Sequence, residues 1–84
     1  MTYGIYAIKD AKTTFMPANV DYNDASAIRN FEHAVRQPDS LLRSHSADYT
    51  LWRVGQFDNE HGEIIPEWPP VQLADASNVL KEDV

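Results

Sequence analysis

NDASAIRNFEHAVRQ, residues 23–37, decides how the rest of the chain is arranged. Ile28, Phe31 and Val35 recur at i, i+3 and i+7, so they share one face of an α-helix. Ala27 and Ala34 flank that stripe and let another layer approach closely. Asn23 is suited to cap the start, because its side-chain oxygen can accept from a free N–H of the first turn. Tyr22 and Ala27 stand at the staple positions on either side of the cap. Asp24 complements the positive end of the helix dipole. Pro38 ends the helix by disfavouring the helical conformation at Gln37.

Two hairpins are expected to flank this helix. Residues 3–8 read as a strand, with Tyr3, Ile5 and Ala7 on one face and Tyr6 and Ile8 on the other. Apolar residues on both faces place it inside the sheet. Residues 10–12 make a turn, residues 13–16 return as a second strand, and residues 17–21 form a loop. After the helix, residues 38–40 are turn chemistry, and Leu41 and Leu42 form a short helical plug. Residues 44–48 form a polar loop, and residues 49–57 make the second clear strand. Its alternation puts Tyr49, Leu51, Arg53, Gly55 and Phe57 on one face and Trp52 and Val54 on the other. Residues 58–62 turn, with Gly62 suited to a positive φ, and residues 63–65 return as a short strand. Pro66, Pro69 and Pro70 break the chain around Trp68 and favour an extended path. Residues 71–74 suit an edge strand, residues 75–80 a short helix capped by Asp75, and residues 81–84 a fraying end.

The expectation is a single α+β domain over residues 1–84. It is a small antiparallel sheet from two β-hairpins, with one main helix across one face and a short C-terminal helix. A chain of 84 residues buries about 60–65% of its unfolded surface, which makes a modest core.

Composition narrows the function mainly by exclusion. There is no cysteine, hence no disulfide and no thiolate chemistry. No apolar run approaches about 18 residues, so no membrane span is expected. MTYGIYAIKD at the N-terminus has neither the basic start nor the long apolar stretch of a signal peptide. His33, His45 and His61 show no metal-ligand spacing. Asp58, Glu60 and Glu63 lack the twelve-residue calcium-loop pattern and read as a solvated turn. Three glycines, at positions 4, 55 and 62, make no phosphate loop. The serines fit caps and turns, and no nucleophile sits in a recognisable setting. The reading is a non-enzymatic protein with no cofactor and no metal.

Seven Lys and Arg against thirteen Asp and Glu give a net charge of −6. Such a chain meets DNA only through a local basic patch, because phosphate neutralisation supplies most non-specific affinity. Arg29, His33 and Arg36, at i, i+4 and i+7, form a basic stripe beside the apolar one. Lys9 and Lys12 sit at the first turn, and Arg43 and Arg53 lie further on. A solvated helix flank is the plain alternative.

The second feature is a surplus of strand aromatics: Tyr3, Tyr6, Phe15, Tyr49, Trp52 and Phe57 exceed what one helix can cover. Tyr6, Ile8, Trp52 and Val54 are the expected lining of the second sheet face. Such a face can stack unpaired bases, form a homodimer interface, or be covered by the arm at residues 66–70.

The wording of the chain adds to this pattern. YGIYAIKDAKTTFMPA, NDASAIRNFEHAV, PDSLLRSH, ADYTLWRVGQFD, GEIIP and LADAS, in this order, resemble the small non-structural protein of gokushovirus-type microviruses. These are single-stranded DNA bacteriophages. The resemblance runs from about Tyr3 to about Ser77. It implies a protein of the infected bacterial cytoplasm, associated with single-stranded DNA binding or synthesis during genome replication and packaging. It transfers no active-site residues. The candidate nucleic-acid contacts are therefore those read from the residues: Arg29, Arg36, Lys9, Lys12 and Arg53 for phosphates, and Tyr6 and Trp52 for bases. The expected partners are single-stranded DNA and a second copy of the chain. The other reading is an interaction module for a viral or host replication or packaging protein, with the aromatic face or residues 67–70 as its contact surface.

Overall fold

A computed structural model describes residues 1–82. The main helix, α1 (Asp24–Arg36), starts where the capping chemistry requires: Asn23 is extended, and its side chain accepts from Ser26 N at 2.9 Å. It stops at Gln37, which the following proline holds in an extended conformation with φ −65° and ψ 129°. Its buried residues are Ala27, Phe31 and Val35, while Ile28 packs half-buried at the margin. Tyr22 is not a staple. It turns away from the helix, and its ring meets Tyr3 edge-on.

Four antiparallel strands form one sheet in the order β2-β1-β3-β4: β1 (Thr2–Asp10), β2 (Asn19–Asp21), β3 (Tyr49–Asp58) and β4 (Glu63–Asp75). As expected, β1 lies inside the sheet. Residues 13–16 do not form the strand expected for them. They make one bridge, Lys9 to Phe15, and bonds such as Met16 N to Ile8 O at 2.7 Å. Pro17 has no N–H to continue such a ladder. The strand that pairs with β1 comes after it, as Gly4–Asp21, Ile5–Val20 and Tyr6–Asn19.

The segments expected at 63–65 and 71–74 are one strand, β4, which swells in the middle. Gly55 pairs with Pro66 and Arg53 with Val71, so Val54 stands opposite four residues, 67–70. An edge strand tolerates these prolines because only one side of it must donate. Gly62 takes the positive φ expected of it, 69°, and its N–H closes the tip onto Asp58 O at 2.8 Å.

Two short helices complete the chain, α2 (Leu41–Ser44) and α3 (Ala76–Glu82), with a 3-10 turn at Ser46–Asp48. Asp75 caps α3, accepting from Ser77 N at 2.9 Å and from Ser77 Oγ at 2.7 Å. Lys81 and Glu82 belong to α3 instead of fraying; the remainder of that expected tail, residues 83–84, lies outside the described residues.

The helices pack together as one layer on one sheet face. The core between the layers is Tyr6, Ala27, Phe31, Val35, Tyr49, Leu51, Ala76 and Val79. Among the described residues no buried side-chain polar atom lacks a partner.

Cross-strand partners share a face, and the register corrects the expected faces. Tyr6 pairs with Arg53 and Ile8 with Leu51, so all four face the helices. Ala7 pairs with Trp52, Ile5 with Gly55 and Tyr3 with Phe57, so these take the opposite face. The extra residue Val54 moves Gly55 and Phe57 off the face of Tyr49 and Leu51 and onto that of Trp52. A one-residue slip inverts every following side chain.

Candidate nucleic-acid interface

The clearest aromatic and cationic grouping lies at one end of the open sheet face. Lys9 lies one residue before the end of β1 on that face, and its Nζ stands 5.4 Å from the centre of the Phe15 ring and 5.6 Å from that of Trp52. The two rings meet edge-on at 6.1 Å and 80°. Trp52 Nε1 donates to Thr50 Oγ1 at 2.7 Å, which fixes the indole plane. Lys12 sits in the adjacent turn, whose shape is held by its own N–H donating to Asp10 Oδ1 at 2.9 Å. Lys9 and Trp52 are thus at one place, with Lys12 exposed in the turn that follows β1. Phe15 joins them because the 11–18 loop returns along β1. It was visible in the sequence as a surplus aromatic, but no pattern linked it to Lys9.

At the β2 edge of the same face, Tyr3 and Tyr22 meet edge-on at 5.8 Å and 83°. With Val20 and Asp21 they line a groove of mixed polar and apolar character. Asp21 is lowered from the usual carboxylate value, first by the hydroxyl of Ser26 and then by Tyr22 N–H, Asn30 and the charge of Arg29.

Tyr6 lies elsewhere. It is 2% exposed, under α1, and offers no ring face to a base. Its phenol donates to Asp24 Oδ1 at 2.8 Å. Burial, and then that carboxylate, push its ionisation above the ordinary tyrosine range.

Arg53 is on the same inner face and is already engaged. Its Nε and Nη2 donate to Glu67 at 2.7 and 3.0 Å, and its Nη1 pairs with Asp24. Glu67 is the largest cause of a guanidinium held still more firmly protonated than usual. No periodicity announces this Tyr6–Asp24–Arg53–Glu67 chain, because its members come from four different elements. Arg53, expected to contact phosphate, and Tyr6, expected to stack on a base, are both part of the scaffold instead.

Arg29 and Arg36 are exposed on α1, in the helical layer, so the sheet separates them from Lys9 and Trp52. Arg36 Nη1 stands 4.0 Å from Glu32, and Arg43 Nη1 donates to Arg36 O at 3.1 Å. The seven residues do not converge on one surface. Among the described residues, no group of three or more His, Cys, Asp or Glu side chains is placed to hold a metal ion. Among them, too, no helix is long and apolar enough to cross a membrane.

The architecture is a four-stranded antiparallel sheet with helices on one face and aromatics on the other. Residues 3–79 match the family described as Phage ORF5 protein, which covers most of the chain. The chain belongs to that family, and it is a phage protein. No curated protein and no solved structure matches it.

Proposed function

We propose that this phage protein is non-enzymatic and binds single-stranded DNA weakly on the Lys9 end of its open sheet face. The carrying observation is Lys9 poised over both Phe15 and Trp52. Unpaired bases stack on such rings at about 1–3 kcal/mol per base, whatever the base. Lys9 and Lys12 meet the neighbouring phosphates. A duplex hides its base faces and leaves only those two cations to engage. With a net charge of −6 the rest of the chain repels DNA, so affinity is low and falls with salt. The resemblance to gokushovirus-type microviruses supports a role in single-stranded genome synthesis or packaging in the infected bacterial cytoplasm.

A second reading is an interaction module for a viral or host replication or packaging protein. It is favoured by the acidic charge and by Trp68, which is 88% exposed on its arm. Fluorescence anisotropy of a labelled single-stranded oligonucleotide, run over a salt series with a duplex control, separates the two. Preferential, salt-sensitive binding of the single strand is the expected result. No binding at tens of micromolar protein in low salt overturns the proposal in favour of the second reading.

A further inference from the structure

We propose that the Tyr3–Tyr22 pair is a second base-stacking platform for the same DNA strand, which runs along β1 from the Phe15–Trp52 pair. The second platform rests on the DNA-binding reading above and lengthens the site.

The two aromatic pairs are built alike. Each sets a ring from a central strand, Trp52 on β3 or Tyr3 on β1, edge-on against a ring from the chain between β1 and α1, Phe15 or Tyr22. Each strand ring is held by a side-chain hydrogen bond: Trp52 donates to Thr50 Oγ1, and the Tyr3 hydroxyl accepts from Asn59 Nδ2 at 3.3 Å. Tyr22 is 71% exposed and Phe15 38%, so each pair keeps a ring open to a base. Rings fixed before binding lose little freedom when a base stacks on them.

Both pairs stand on the open face, with a low floor between them. Trp52 pairs with Ala7 and Phe57 with Tyr3, and those two partners are four residues apart on β1, about 13 Å. The row between them is Ile5 and Gly55. Nucleotides stacked as in a helix advance about 3.4 Å each, so about four steps join the platforms, and fewer in an extended strand. A single-strand site on one small β domain covers about 4–16 nucleotides.

The distribution of charge fits a polyanion on this path. β1, β2 and β3 carry three acids, Asp10, Asp21 and Asp58, on a chain of net charge −6. Their cross-strand partners are Tyr49, Gly4 and Thr2, so all three belong to the helix-facing side. Among the described residues of β1 and β3, Lys9 is the one charged side chain on the open side. A strand of unpaired nucleotides needs what this path offers: rings for its bases and no carboxylate beneath its phosphates. The far platform has rings and no cation, so it adds affinity without releasing further counterions.

Fluorescence anisotropy of a labelled oligothymidine of about ten nucleotides, run over a salt series, tests this. Tyr22→Ala, at an exposed position outside the core, is expected to weaken binding about 5- to 150-fold and to leave the salt slope unchanged. Tyr22→Phe keeps the ring and is expected to bind as the unmodified chain does. Leu41→Ala, exposed on α2 in the helical layer, is expected to change nothing. Full binding by Tyr22→Ala, while Trp52→Ala weakens it, overturns the second platform and leaves the first standing. Equal losses in Tyr22→Ala and Tyr22→Phe, a salt slope that falls in Tyr22→Ala, or the same loss in Leu41→Ala also overturns it. No binding by the unmodified chain overturns both platforms.

Discussion

Arg53 grips Glu67 through two parallel hydrogen bonds, Nε to Oε1 at 2.7 Å and Nη2 to Oε2 at 3.0 Å. The pair ties the arm of β4 to the middle of β3, and the third guanidinium nitrogen reaches Asp24 at the start of α1. One side chain thus joins three elements. Arg53→Ala leaves two carboxylates facing each other without their cation. Solvent reaches the group, so the expected loss is about 1–2 kcal/mol, at the low end for charged hydrogen bonds. That lowers the melting temperature by roughly 4–8 °C per kcal/mol in a domain this size. An unchanged melting temperature would show the pair to be ornamental.

The same pair makes a pH prediction. Arg53 holds the Glu67 carboxyl below its ordinary value, which is about 4.3 for glutamate. A carboxyl depressed by folding stabilises the fold above its unfolded value and ceases to do so as pH falls through the folded one. Glu67→Gln is therefore expected to melt earlier than the unmodified chain at pH 7. The gap should close as pH drops from about 5 towards 3. Melting curves that stay equally separated over that range would refute the assignment.

Gly4 and Tyr6 are two residues apart on the helix-facing side of β1, and the Tyr6 ring lies across Gly4. A Cβ at position 4 would run into the phenol hydroxyl and the ring carbon bearing it. Gly4→Ala must displace Tyr6 from the core and from Asp24, with an expected loss of about 2–4 kcal/mol. Tyr6→Phe removes only the hydroxyl and should cost about 1 kcal/mol. Urea unfolding of the two variants checks the ordering. Equal losses would mean that the ring is free to move aside.

The N-cap allows a cleaner test of what the sequence made legible. Asn23→Ala is expected to cost about 1 kcal/mol and Asn23→Gly only a few tenths, because glycine leaves the N–H groups open to water. Thermal melts that fail to rank the two in this order would remove the cap from the account.

The helix could be read because its signals are local: a cap, a stripe and a stopping proline within sixteen residues, 23–38. The sheet was legible as far as alternation is local too, which is why Tyr3, Ile5 and Ala7 were rightly separated from Tyr6 and Ile8; which of the two sets faces the helices was not legible, and Tyr6 and Ile8 lie on the helix side instead of the open one. It ceased to be legible at Val54. A bulge is set by the partner strand, here by the four residues 67–70 facing one, and no pattern within residues 49–57 announces it. That single displaced residue reassigned Phe57 and Gly55. The candidate site failed for a similar reason. Lys9 and Trp52 lie on the open face, but Tyr6 and Arg53 belong to the inner face. Which carboxylates would claim Arg53 depended on contacts 29 and 14 residues away.

The division of cations between the two layers yields a decisive comparison for the DNA-binding proposal. Lys9→Ala is expected to weaken single-strand binding and to reduce the salt slope by about 0.7, the share of one phosphate contact. Trp52→Ala is expected to weaken binding by about 1–3 kcal/mol with little change in that slope, since stacking releases no counterions. Arg29→Ala combined with Arg36→Ala alters only the helical layer and is expected to leave the salt slope nearly unchanged. Anisotropy titrations of the three variants on one oligonucleotide measure all of this together. If the double arginine variant loses binding and Trp52→Ala does not, DNA lies along α1 and the open sheet face serves another purpose.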